Sequence, residues 1–122
     1  MSTVSEAIRN ATESQMKELG FQYAGSEDHA MFTVVEYANG IKNFRFVTDV
    51  RDQYFYLDIS VLGEFSKAGF PWSFIEKLGL KKRDLRILGN RCRVHEPNEI
   101  RDWLEERMPL IIKLLSDPRL FE

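Results

Sequence analysis

The stretch MFTVVEYANGIKNFRFVTDVRDQYFYLDISVL, Met31 to Leu62, alternates in side-chain type with a period of two, and two turn candidates interrupt it. The pattern predicts three consecutive antiparallel strands, Met31 to Tyr37, Ile41 to Val50 and Tyr54 to Leu62. Asn39-Gly40 is a two-residue hairpin signal, because both residues tolerate the positive φ of a type I′ turn. With that turn Tyr37 pairs with Lys42, Val35 with Phe44, Thr33 with Phe46 and Met31 with Thr48, while on the other face Val34 meets Arg45 and Phe32 meets Val47. A second turn at Arg51-Asp52 pairs Phe46 with Leu57, Phe44 with Ile59 and Thr48 with Phe55. Both registers put the same residues on the same face, and a one-residue slip would destroy that agreement.

One face collects Val35, Phe44, Phe46, Phe55, Leu57, Ile59 and Val61 and reads as core. The other collects Phe32, Val34, Glu36, Arg45, Val47, Asp49, Tyr54, Tyr56, Asp58 and Ser60, with Arg45 directly opposite Asp58. Such a cross-strand ion pair contributes about 0.2 to 1 kcal/mol, enough to favour a register and too little to hold a fold. This second face is too aromatic for a plain solvated surface. Its Tyr54 and Tyr56, beside Phe32, Val34 and Val47 and framed by Glu36, Arg45, Asp49 and Asp58, have the aromatic centre and polar rim of a protein interface. Two kinds of occupant compete for it: one of the chain's own helices, or a partner, including a second copy in a homodimer.

Thr3 and Glu6 have capping-box spacing, which starts a helix near Val4. Val4, Ile8, Ala11, Met16 and Leu19 form its inward stripe, Gly20 ends it, and Phe21 folds back toward Met16. Residues 63–70 read as a loop. Pro71 opens a short middle helix with Phe74, Ile75 and Leu78, closed by Gly79. Leu85, Ile87 and Leu88 fit either a short strand or an irregular packed turn, so the conformation of residues 80–96 stays open. Pro97 opens a last helix whose apolar positions are Ile100, Leu104, Met108, Ile111 and Leu115, stopped by Asp117-Pro118. Pro109 lies inside it, and the lost hydrogen bond to Glu105 predicts a kink or break near Met108. The expected fold is α+β: a three-stranded antiparallel meander, four-stranded if 85–88 form a strand, packed by an N-terminal helix, a short middle helix and a kinked C-terminal helix. At 122 residues a single domain with one core is expected.

Composition excludes several classes. Hydrophobic residues at 43% and charged residues at 30% suit an ordered globular chain. Cys92 is the only cysteine, so no internal disulfide can form, and a reducing compartment fits best. No basic region followed by an apolar run opens the sequence, and no stretch approaches the roughly 18 apolar residues of a membrane span; a cytoplasmic protein without membrane partners is expected. The net charge of -2 is unevenly spread. Residues 1–40 carry a net of -4, 81–95 a net of +5 and 96–122 a net of -3, a dipolar pattern able to steer a charged partner.

Catalytic signals are thin. His29 and His95 have no ligand at zinc-site spacing. Cys92 near His95 is a weak thiolate arrangement. Asp49, Asp52 and Asp58 are explained by a solvated hairpin end, with Asp58 facing Arg45 and Asp52 serving a turn. Gly63 and Gly69 are isolated, so no phosphate-binding loop is present. No metal or cofactor is expected, and the chain reads as no enzyme. The basic run Lys81, Lys82, Arg83, Arg86, Arg91 and Arg93 is the best case for nucleic acid, but it lacks stacking aromatics and lies between acidic termini. A nucleic-acid-associated regulatory protein using residues 81–95 is therefore the second reading.

Phe44-Arg45-Phe46-Val47-Thr48-Asp49-Val50-Arg51-Asp52, then Tyr56-Leu57-Asp58-Ile59, preceded by Leu19-Gly20-Phe21 and followed by Trp72, resembles the small bacterial immunity and immunity-like proteins of contact-dependent growth inhibition and other polymorphic toxin systems. The likeness covers about residues 16 to 78 and is carried by structural motifs. It implies a noncatalytic cytoplasmic protein that binds and neutralises one cognate toxin. No contact residue transfers from the resemblance, because such proteins diverge at the binding surface. The candidate contacts come from the chain itself: Glu36, Asp49, Tyr54 and Tyr56 as anchors on the sheet with Arg45 and Asp58 among them, and Arg83, Arg86, Arg91 and Arg93 as an alternative patch.

Overall fold

Helix α1 spans Thr3–Glu18 and buries a face repeating at three- and four-residue intervals, Ser5, Ile8, Thr12 and Met16, each 0% exposed. The stripe is rotated slightly from the apolar one expected, so that Val4, Ala7, Ala11 and Leu19 flank it half-buried. Thr12 can enter the core because its hydroxyl donates to the Ile8 carbonyl at 2.7 Å. The helix ends as expected. Gly20 takes φ +89°, and the amides of Gly20 and Phe21 donate to the carbonyls of Lys17 (3.0 Å) and Met16 (2.9 Å). This double capping turn returns Phe21 to the core beside Met16. These features come from a computed structural model, which describes residues 3–40, 42–50, 53–61, 64–65 and 96–116. The middle helix, the 85–88 segment and the basic run lie outside the described residues.

Five strands follow in one antiparallel meander: β1 Gln22–Asp28, β2 Phe32–Ala38, β3 Lys42–Asp49, β4 Tyr54–Val61 and β5 Glu64–Phe65. The sheet thus extends the expected three strands on both sides. β1 was not predicted because its residues, QYAGSED, are polar and do not alternate; pairing with β2 makes it a strand. β5 takes two residues of a stretch read as loop, pairing Ser60 with Phe65 and Val61 with Glu64.

The β3–β4 register is the expected one, with Phe44 opposite Ile59, Arg45 opposite Asp58 and Phe46 opposite Leu57. The β2–β3 register is shifted by two residues: Tyr37 faces Phe44, Val35 faces Phe46, Thr33 faces Thr48, and Glu36, not Val34, faces Arg45. The cause lies in the turn. Asn39 does not sit at its centre but closes it, accepting the Lys42 amide on Oδ1 at 3.0 Å and donating its own amide to the Lys42 carbonyl at 2.9 Å. Gly40 takes φ +103°, the positive φ such a turn requires. A shift by two leaves every side chain on its predicted face, so the core assignment survives a wrong pairing.

The C-terminal helix, α2, spans Pro97–Leu115. The expected Ile100, Leu104, Met108, Ile111 and Leu115 are all buried, joined by Trp103. Pro109 does not break it. Pro109 and Glu105 are both exposed, so the carbonyl that proline deprives of a partner sits on the solvent side, where water can bond it. Both helices pack on the sheet face of Val35, Tyr37, Phe44 and Phe46, and this is the core. Phe46 meets Tyr37 and Phe44 edge-on at centroid distances of 6.0 and 5.0 Å.

Tyr37 ties α1 to β2. Its hydroxyl lies 2.7 Å from Thr12 Oγ1, and since Thr12 spends its proton on the Ile8 carbonyl, Tyr37 is the donor. Burial pushes the Tyr37 phenol up to about 12. The unfolded phenol ionises near its ordinary value, so the unfolded state sheds a proton first as pH rises. Stability is unaffected below about pH 10 and falls as pH climbs toward 12. Tyr37→Phe is expected to cost about 1 kcal/mol at neutral pH and to flatten that alkaline decline, which denaturant midpoints at pH 7 and pH 11 would read.

Candidate functional site on the outer sheet face

The face of the sheet away from α1 and α2 carries Phe32, Val34 and Glu36 on β2 and Arg45, Val47 and Asp49 on β3. Register arranges these into rows across the strands. Phe32, Asp49 and Tyr54 form one; Val34, Val47 and Tyr56 the next; Glu36, Arg45 and Asp58 the third. The predicted sheet candidates are therefore neighbours in two of three consecutive rows, with Tyr56 in the row between. Two-residue displacement of β2 brings Glu36 opposite Arg45, so the guanidinium-bearing residue is flanked in register by an acidic residue on either strand. The sequence reading had only the Asp58 side of that arrangement. Arg83, Arg86, Arg91 and Arg93 lie outside the described residues.

Exposure is uneven across this face. Val34 is 7% exposed, and Glu36, Arg45, Val47 and Asp49 are half-buried. Phe32, at the end of the sheet, is 39% exposed. Phe32 is therefore the exposed residue of this face among those described, while Asp49 in its row is half-buried like Glu36 and Arg45.

β1 adds a concavity beside the Glu36–Arg45 row. A register shift between Tyr23 and Gly25 makes Ala24 an extra residue and sets Gly25, at φ +145°, opposite Glu36. A bulge of this kind bends the strand that carries it and disturbs its ladder. The result is a hollow of about 300 Å³ lined by Gly25, Glu27, Val34, Glu36 and Arg45 among others. Two acidic residues and one basic residue in a mostly polar lining suit polar contacts with a partner side chain.

Groups with the makings of chemistry do not assemble elsewhere among the described residues. No cluster of three His, Cys, Asp or Glu side chains suited to a metal is present there. Ser5 lies 3.5 Å from the Asp28 carboxylate but is fully buried, so no substrate reaches it. Arg9 bridges Glu13 at 2.7 Å and covers the Tyr23 ring at 3.7 Å. Its hydrogen bond to Glu13 holds that carboxyl below the usual carboxylate range and raises the guanidinium in turn. The residues are spaced as helical i,i+4 partners, and this is a latch between α1 and β1.

Arg107 was missed from the sequence. It is 4% exposed, with its guanidinium 4.3 Å from the Trp103 ring and donating to the Trp103 carbonyl at 3.2 Å and to Glu106 at 3.3 Å. The signal was its spacing, since positions 103, 107 and 111 share one helical face. An aromatic one turn before an arginine offers it a cation–π seat.

No helix among the described residues is long and apolar enough to cross a membrane. Compared with protein-family models, with curated proteins and with solved structures, the chain matches none.

Proposed function

We propose that this chain is a noncatalytic protein-binding domain that acts as an immunity protein, binding a cognate bacterial toxin in the cytoplasm and neutralising it. The supporting observation is the placement of both described helices on one side of the sheet. On the opposite face, in the row of Phe32, Asp49 and Tyr54, Phe32 is 39% exposed, which supports a partner contact there. An aromatic, charge-framed surface on paired strands is rigid, so little ordering entropy opposes association. The resemblance in the residue 44–59 region supports the toxin-inhibitor form of this reading.

The test is capture by the tagged chain of products of neighbouring genes, with nuclease treatment as a control, followed by co-expression of whatever is captured. One nuclease-resistant protein whose toxicity the chain relieves is the expected result. Recovery of nucleic acid alone, lost on treatment, would shift the function to the basic segment 81–95.

A further inference from the structure

β2 ends at Ala38 and β3 begins at Lys42, so Asn39 and Gly40 lie between strands, and both are exposed. Gly40 has no side chain to screen its amide nitrogen, and an added Cβ there would meet nothing within 4 Å. The Asn39 carboxamide is thus followed by an unshielded amide in a turn open to water. The other asparagines among the described residues are placed differently. Asn10 lies within α1 and Asn98 in the first turn of α2, while Asn43 is held in register with Ala38 and Ser60 on β3. Closing a ring from a carboxamide carbon to the next amide takes ψ away from both helical and extended values, which a helix or a paired strand resists. Each of these three also precedes a residue with a Cβ, namely Ala11, Glu99 and Phe44.

The hydrogen bond that closes the turn also favours the reaction. The Lys42 amide donates to Asn39 Oδ1 at 3.0 Å, and attack on Cγ places the developing negative charge on that same oxygen. A donor already aimed at an oxygen that becomes an oxyanion stabilises the transition state without reorganising. We infer that Asn39 is a self-modification site, at which the folded chain converts asparagine to aspartate and isoaspartate. The Gly40 nitrogen gives its proton to solvent base and attacks Cγ; the new N–C bond forms, the Cγ–Nδ2 bond breaks, and Nδ2 leaves as ammonia. Water then opens the resulting succinimide. Opening at Cγ restores the ordinary backbone with an aspartate, whereas opening at the α-carbonyl routes the backbone through the former side chain as isoaspartate. Either product adds a negative charge. Aspartate keeps an oxygen for the Lys42 amide, but isoaspartate inserts a methylene into the turn that sets β2 against β3.

The test holds the full chain in mildly alkaline buffer and follows each asparagine by peptide mass mapping, which reads the exchange of NH for O, with isoaspartate resolved from aspartate by chromatography. Asn39 is expected to convert about ten-fold or more faster than Asn10, Asn43 and Asn98, and Gly40→Ala to slow it about ten-fold. Alanine is strained at φ +103°, so the ranking of the four asparagines in the unaltered chain carries the test should that variant unsettle the turn. Conversion at Asn39 no faster than at Asn43, or an unchanged rate in a folded Gly40→Ala, would overturn the inference. Urea below the unfolding transition separates the folded turn from the unfolded chain. A flat rate is expected there; a rate climbing in proportion to the unfolded fraction would place the reaction in the unfolded chain and overturn the assignment to the folded turn.

Discussion

Phe46→Ala is expected to destabilise the domain by about 3–5 kcal/mol. Phe46 is 0% exposed, lies on a central strand between β2 and β4 and meets two rings edge-on, Tyr37 and Phe44. Truncation removes its transfer free energy and leaves a cavity that neighbours on paired strands cannot collapse to fill. A loss of that size is a large fraction of the about 5–15 kcal/mol that holds an ordinary domain together. Urea unfolding should show a lower midpoint with an unchanged slope. A loss below about 1 kcal/mol would mean that this residue is not at the centre of the core.

Tyr56→Ala is expected to weaken partner binding by more than about 2 kcal/mol, roughly thirty-fold, while the domain stays folded. Tyr56 stands opposite Val47 in the row between those of Arg45 and Asp49, and an aromatic at the middle of a binding face is the usual hot spot. Calorimetry with the captured partner, alongside circular dichroism of the mutant, separates lost contact from lost structure. Normal affinity in a folded mutant would exclude Tyr56 and move the contact toward the exposed Phe32.

Much of the inner architecture was legible. Alternation along residues 31–62 identified the central strands and their core face, and the four- and three-residue spacing of Ile100, Leu104, Met108, Ile111 and Leu115 identified the last helix. Gly20 announced the end of the first. The β2–β3 register was misread because Asn39-Gly40 admits two turns, and the carboxamide of Asn39 chose the one in which it bonds the Lys42 amide. Of the site, Glu36, Arg45 and Asp49 were correctly gathered on one face, but their unequal exposure was not foreseen. Burial of Val34 depends on what surrounds the strand, and alternation says only which side a residue takes.

By itself, the sequence determined properties that one segment's periodicity encodes: strand or helix, inward or outward, and where a left-handed glycine stops a turn. Tertiary structure decided the rest. It made a strand of polar β1 by offering its backbone the edge of β2, set Glu36 opposite Arg45 across strands, and brought Met31, Phe32 and Val50 together at one end of the sheet. Each of these depends on a backbone hydrogen bond or a packing contact whose energy exists only once another part of the chain has arrived.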